Sequence, residues 1–557
     1  MQIESISQIP GDVARALEVA RVLIKYGLAE WLKGTAWEPA RRLFKSHTGE
    51  TLTDQPLPVR IRLALTDLGT TFIKLGQVLS TRPDLVGPEV SHELTHLQSG
   101  APADLPQVAI ATIEKELGKP IAECFAEFDP QAMASASIGQ VHRAKLTNGR
   151  RVVVKVQHPG IEGTIRRDLN ILCILAEHAE QQETLIRYQP VAVVREFRQT
   201  LMRELDFRRE MRNLQQFRRN FAADRTVAFP RPYPDLSTGR VLTMQMLKGT
   251  SVGDAEQLQH RHIDCEALAR HGAGVFVQMI FRDGFYHADP HPGNILVMSK
   301  GRVGLLDAGM VGRIDDELRE RIVAIVLAAA ERDAPGLTDI IADICKAPAN
   351  LDRGDLGADL TEVFDQYGAQ AVSQIDVGGA LSAVTRLLHE YKLVMPSRLS
   401  MLIKCLIILE GTAAGLDASF DLAQLLEPYR RQFVLQQFSP ETWLRKAQRL
   451  RRDWALLAES IPRSFNNLLE QLQAGNFAVR IKHPPLETSV NRLVYGLCTS
   501  ALLLASAQLW IHEVPPTIQG VSILGAAGYL VAALLATRVL WLSRRSNNRK
   551  DDSAQRP

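Results

Sequence analysis

The sequence predicts an α+β fold of two lobes, with a helical extension in front and an apolar helical pair behind. Three observations lead there. Residues 140–157 read as two β-branched strands about the turn Thr147-Asn148-Gly149-Arg150. Residues 249–430 are mainly helical in spacing but hold a shorter hairpin after Asn294. Residues 494–511 and 521–536 carry no charged side chain.

The chain has 557 residues, 46% hydrophobic and 23% charged. That is core enough for about two to four domains and excludes a mainly disordered protein. A net charge of +3 does not suggest a nucleic-acid partner. The six cysteines are scattered with no C-x-x-C pair, which predicts reduced thiols rather than a disulfide frame or a zinc ribbon.

The segments follow in order. Residues 1–105 form the helical extension. Within it, residues 11–32 have amphipathic helical spacing, expected to dock on the domain, with a membrane-surface helix as the alternative. Residues 106–248 mix strand and helix, and 249–430 are the helical lobe. Residues 431–490 are an amphipathic, basic linker, 491–545 a transmembrane hairpin and 546–557 a polar tail. Each charge-free run nearly spans a hydrocarbon core of roughly 30 Å. Arg492 precedes the pair, Arg544, Arg545, Arg549 and Lys550 follow it, and the turn between has no Lys or Arg. The positive-inside bias therefore predicts both ends, and the large N-terminal part, on the cytoplasmic side.

Chemistry concentrates in His287-Ala-Asp289-Pro-His291-Pro-Gly-Asn294. A zinc site would use the two histidines, but that leaves the downstream residues unexplained. Ile295–Val297 is a short apolar strand, 299–301 a turn, and 302–306 a second strand ending at Asp307-Ala308-Gly309. Paired antiparallel, they bring Asn294 and Asp307 side by side, with Asp289 one loop upstream. Such an oxygen-rich corner suits Mg²⁺. His92-Glu93-Leu-Thr-His96 also fits the H-E-x-x-H zinc pattern, but reads better as solvent-facing helix.

The H-x-D-x-x-x-x-N spacing followed by D-x-G resembles the catalytic and metal loops of protein kinases. The resemblance gives Asp289 the role of base and Asn294 and Asp307 those of metal ligands. Lys155, in the strand Arg151-Val-Val-Val-Lys155-Val-Gln157, would contact nucleotide phosphates while held by a glutamate. Glu204 is the first candidate and Glu210 the second, in the helix-patterned Glu204-Leu-Asp206-Phe-Arg-Arg-Glu210-x-x-Asn213. The strand 240–247 is the expected link between lobes, with Gln245 and Met246 near the adenine. In place of a Gly-rich phosphate loop stands Ala134-Ser135-Ala136-Ser137-Ile138-Gly139-Gln140, a stiffer loop whose N–H groups and hydroxyls remain available to phosphate.

With Phe72-Ile-Lys74-Leu-Gly76-Gln77 upstream, these motifs together resemble the UbiB family of atypical kinases associated with prenyl-quinone pathways. The resemblance covers about residues 55–420, including Leu97-Gln98 and Glu410-Gly411. It implies a protein-kinase-like fold that uses ATP and Mg²⁺, anchored in the bacterial inner membrane, with the extension folded over the active site and Lys74 and Gln77 pointing in. It implies a kinase or ATPase supporting ubiquinone biosynthesis. A nucleotide-sensing scaffold and a lipid or small-molecule phosphotransferase are the alternatives. Expected partners are membrane lipids, prenyl-quinone precursors and quinone-biosynthesis enzymes, with a homodimer left open and no nucleic acid. The chain departs from the pattern at Ala308 and Gln245 and has no Ala-Pro-Glu segment after Asp307.

Overall fold

The computed structural model describes residues 9–28, 55–97, 102–182, 185–348, 350–368, 376–437, 499–509, 511, 517–518, 521–522 and 526–533. Residues 1–443 form one compact unit and 444–557 a second.

The strand-rich lobe is built on an antiparallel sheet in the order β1 (Glu127–Phe128), β3 (Gly139–Lys145), β4 (Arg151–Gln157), β6 (Val241–Gln245), with β2 (Ala134–Ser135) on β3. Alternation along β4 divides its side chains between two faces. Val152, Val154 and Val156 are buried with Ala109 and Ile113 of the helix Pro106–Leu117. Val153 lies on the opposite face in the main core, so Lys155 shares that inner face. The strands at 140–146 and 151–157 and their turn lie within one residue of the sequence expectation.

The helical lobe carries a second sheet, ordered β5 (Val227–Ala228), β10 (Val303–Leu305), β9 (Ile295–Val297), β7 (Thr250–Ser251). β9 and β10 pair antiparallel as the hairpin spacing predicts, with Val303 opposite Val297 and Leu305 opposite Ile295. Lys300 and Gly301 take the left-handed conformation in the turn. A separate ladder joins β8 (Phe285–His287) to β11 (Val311–Arg313). Between them the two ladders hold both ends of the Asp289 loop and of the Asp307 loop.

The extension is helical and docked. Helix Ile9–Lys25 buries Val19, Ala20 and Ile24, and its Arg15 donates to Asp168 at 2.7 Å. Helix Thr70–Leu79 follows after Leu57–Leu68, and Gly76 lets it pack closely: a Cβ there would run into Leu65 and Leu97. The chain then crosses to the helical lobe. Arg82 and Asp84, both buried, pair at 2.8 Å. Arg82 donates to the Met395 carbonyl at 2.9 Å, and Asp84 accepts from the Met395 N–H at 3.0 Å.

Among the described residues one helix, Ser397–Leu416, is long and apolar enough to cross a membrane by length and composition. Here it is a core helix of the helical lobe, burying Leu402, Cys405, Leu409 and Ala413. In the second unit, an apolar helix Thr499–Leu509 and a helical stretch 526–533 flank a two-residue ladder, Thr517–Ile518 against Val521–Ser522. A side chain at Gly528 would meet Ser506, so the two helical pieces touch. The remainder of the hairpin expected at 491–545, most of the linker at 431–490 and the tail at 546–557 lie outside the described residues.

Candidate active site

Lys155 reaches inward from β4 and sets the centre of the site. Its ammonium lies 2.9 Å from Glu210 and 3.5 Å from Asp307, and 5.2 Å from the centre of the Phe207 ring. Burial works against its charge, but Asp307 and then Glu210 outweigh it and hold its pKa well above the ordinary lysine value. The two carboxylates respond differently. Lys155, foremost, draws Asp307 down to about 2, and the Gly309 N–H at 2.7 Å adds to this. Burial pushes Glu210 up to about 7, against the pull of Lys155.

Glu204, the first candidate for the Lys155 partner, is not that partner. Its carboxylate pairs with Lys74 at 3.0 Å. The segment from Glu204 to Asn213 is not one helix. Helix Pro190–Glu204 ends, and Asp206 caps a new helix, Phe207–Asn220, by accepting from the Arg208 N–H at 3.1 Å. The break turns Glu204 towards the extension and leaves Glu210 in the first turn facing Lys155. Three residues on, Asn213 donates to the Ala308 carbonyl at 2.9 Å and so holds the Asp307 loop. Asn213 was the functional residue whose role the sequence left unassigned.

Across the cleft, Asn294 donates from Nδ2 to the backbone carbonyl and to the carboxylate of Asp289, both at 3.2 Å. Its Oδ1 is thereby left as an acceptor. His287 is buried, its Nδ1 accepts from the Asp289 N–H at 3.2 Å, and burial lowers its pKa. His291 spends Nδ1 on the Gly293 N–H at 3.1 Å. Neither histidine is placed as a zinc ligand, and no group of three or more His, Cys, Asp and Glu converges among the described residues. Asn294 and Asp307 do fit Mg²⁺: one amide oxygen and one half-exposed carboxylate, a set that phosphate oxygens would complete. The other zinc pattern is not on one helix either: helix Pro88–Leu94 ends before His96, and Glu93 accepts from Arg62 at 2.6 Å.

Lys74 sits close enough to this cluster for Asp307 and Lys155 to act on it. Its pKa is raised; burial opposes this, and Glu204 and then Asp307 overcome it. Gln77, one turn on, reaches the Leu97 carbonyl at 3.5 Å.

Three segments match known domains: residues 96–341 an ABC1 atypical kinase-like domain, 360–421 a UbiB helical domain, and 485–545 an ABC1/UbiB kinase-like C-terminal domain. A "Probable protein kinase UbiB" of Pseudomonas paraeruginosa is 34% identical over 455 residues, 78% of this chain and 84% of that protein. The chain belongs to the UbiB family. The Azotobacter vinelandii protein of the same name is 33% identical over 457 residues, 78% of this chain and 83% of its own. A solved complex of Rv3197 with erythromycin from Mycobacterium tuberculosis, 22% identical, covers 65% of this chain and 93% of its own at a TM-score of 0.42. That likeness is too loose to bear on the site.

The Ala-rich loop of this UbiB-family chain is tighter than the sequence suggests. Ala134 and Ser135 are strand residues paired to Val141 and Gln140, and the Ala136 N–H donates to the Gly139 carbonyl at 2.9 Å. Gly139 is needed because a Cβ would strike the Val156 carbonyl. Ser137 and Ile138 are buried. Gln140 is fully buried; its Oε1 accepts from the Asp104 N–H at 2.6 Å and its Nε2 lies 3.0 Å from His142. Its side chain is therefore part of the lobe's interior, not a phosphate contact. In the linker, the Gln245 N–H donates to the Arg231 carbonyl at 2.8 Å and the Met246 N–H to the Arg151 carbonyl at 3.1 Å. Neither donor is free for a base, so these two residues offer an adenine only their carbonyls or side chains. Glu410 of the family-like Glu410-Gly411 pair accepts from the Gly378 N–H and serves the helical lobe's packing.

Proposed function

We propose that this chain binds Mg·ATP and acts as a membrane-anchored atypical kinase or ATPase that supports ubiquinone biosynthesis. The observation that carries the reading is the single cluster in which Lys155, Glu210 and Asp307 meet. The kinase-like domain and the name that the relatives carry support it.

Lys155 holds nucleotide phosphates, and Glu210 fixes the direction of that ammonium. Asn294 and Asp307 would hold Mg²⁺, which would supply charge neutralisation at the phosphates. Asp289, oriented by Asn294 and His287, takes the proton from the attacking water or acceptor hydroxyl. The attacking oxygen bonds to the γ-phosphorus as the bond from that phosphorus to the β,γ-bridging oxygen breaks, and ADP leaves. The extension, charge-paired at Lys74 and fastened at Met395, favours water or a small or lipidic acceptor over a peptide.

Membrane anchoring rests on the charge-free runs at 494–511 and 521–536 and on the basic residues outside them. With both ends inside, the unit of residues 1–443 faces the cytoplasm, where prenyl-quinone precursors and quinone-biosynthesis enzymes are its expected partners. The test is thermal stability of the full chain in detergent with and without Mg·ATP, followed by ATP turnover with and without vesicles. A folded protein that shows no Mg·ATP-dependent shift removes the nucleotide reading. Unchanged quinone levels in cells lacking the chain remove the pathway.

A further inference from the structure

Within helix Ser397–Leu416, the apolar run Leu399-Ser-Met-Leu-Ile-Lys404-Cys-Leu-Ile-Ile-Leu409 contains one charged side chain, Lys404, while Arg398 and Glu410 flank it and are paired elsewhere. A half-buried ammonium in such a run is costly unless an anion meets it. Lys404 has no ion pair or hydrogen bond among the described residues, unlike Lys74 and Lys155, which are both paired.

The helix holds Lys404 against the catalytic loop. Its neighbour Cys405 donates to the His287 carbonyl at 3.4 Å, and Thr412, two turns on, donates to the Pro290 carbonyl at 3.3 Å. The helix is thus stitched to the backbone on either side of Asp289. The Asp289 carboxylate, the Cys405 thiol and the Lys74 ammonium all act electrostatically on the Lys404 ammonium, so it lies within reach of the group beside the catalytic loop. Burial pulls its pKa below the ordinary lysine value, and Asp289 only partly opposes this.

The loop Asp289-Pro-His-Pro-Gly-Asn294 has no Lys or Arg, and His291 is spent on its own turn. Around the cluster, Lys155 and Lys74 supply cations from the strand-rich lobe and the extension. The catalytic loop supplies none.

We propose that Lys404 binds the terminal phosphate of ATP beside Asp289, supplying from the helical lobe the cation that the catalytic loop lacks. This rests on the Mg·ATP reading above. It separates ATP from ADP, because only ATP carries the phosphate that Lys404 would touch.

The experiment compares the full-length protein with Lys404→Met and Lys404→Arg for Mg·ATP affinity, Mg·ADP affinity, ATP turnover and melting temperature. For Lys404→Met, Mg·ATP affinity should fall about tenfold, the size of a lost charge-assisted contact, with Mg·ADP affinity unchanged. Turnover should fall by a similar factor or more. Melting temperature should hold or rise, since a methionine suits the apolar helix better than an unpaired ammonium. Lys404→Arg should keep the preference for ATP over ADP. Lys404→Gln carries the same nucleotide readout if the methionine variant does not fold. Equal loss of both nucleotides, or loss of neither, overturns the assignment. A wild-type protein that binds neither nucleotide overturns the Mg·ATP reading and this one with it. Wild-type binding of both, with the ATP preference intact in Lys404→Met, overturns this one alone.

Discussion

The ammonium of Lys74 lies 3.0 Å from the carboxylate of Glu204, so a helix that precedes the strand-rich lobe is charge-paired to a residue inside it. Both side chains are mostly buried, at 22% and 15% exposure, which lifts the pair above an ordinary surface contact.

Lys74→Ala should therefore change nucleotide affinity or ATP turnover by at least about threefold. A double-mutant cycle with Glu204→Gln should show a coupling of roughly 1 kcal/mol or more in stability. Wild-type kinetics in Lys74→Ala, together with additive stability changes, would remove the extension from the chemistry.

Asp307 and Asp289 should separate binding from turnover. Asp307→Asn should abolish most of the Mg·ATP-dependent rise in melting temperature. Asp289→Asn should keep that rise and lower turnover by roughly 10²- to 10⁴-fold. The reverse pattern would exchange their roles.

Glu210 gives the site a pH dependence. Its folded pKa of about 7 exceeds the ordinary 4.5 because of burial, so between these values the native state binds more protons than the unfolded state. Stability from this group is complete below pH 4.5 and is lost as the pH rises through about 7. Glu210→Gln should flatten that part of the nucleotide-free stability curve, as read from denaturant melts across pH 4.5 to 8. A slope that the substitution leaves untouched would contradict the assignment.

Asp84→Asn should be the most destabilising of these changes, at roughly 3–5 kcal/mol, because it leaves the buried Arg82 without its counter-charge. Chemical denaturation would measure it. A loss under about 1 kcal/mol would mean that Met395 alone anchors the crossing.

Much of this site could be read from spacing. The β-branched run 151–157 put Lys155 in a strand, and the hairpin after Asn294 put Asn294 near Asp307, because both depend on local pattern; the face that Lys155 takes came from the packing. The Lys155 partner could not be read the same way. Glu204 and Glu210 lie in one continuous helical pattern, and the break depends on Asp206 acting as a cap rather than as a helical residue. Gln140 looked available because it ends a loop motif, yet its burial depends on Asp104 and His142 closing around it. Lys404 carried no motif at all. Its one sequence signal was a single charge in the apolar run 399–409, and only tertiary packing shows which loop that charge approaches.

The crossing at Arg82, Asp84 and Met395 also bears on how the cleft breathes. Two lobes joined by one linker can rock about it as a hinge. In this chain the extension is a cross-brace, tied to the strand-rich lobe through Lys74–Glu204 and Arg15–Asp168 and bolted to the helical lobe at Met395. Opening the lobes requires either the Lys74–Glu204 and Arg15–Asp168 pairs or the hydrogen bonds to Met395 to break, so small-amplitude rocking gives way to rare, larger excursions. Amide protons in helix Thr70–Leu79 should then exchange with solvent in one cooperative step rather than fraying one at a time.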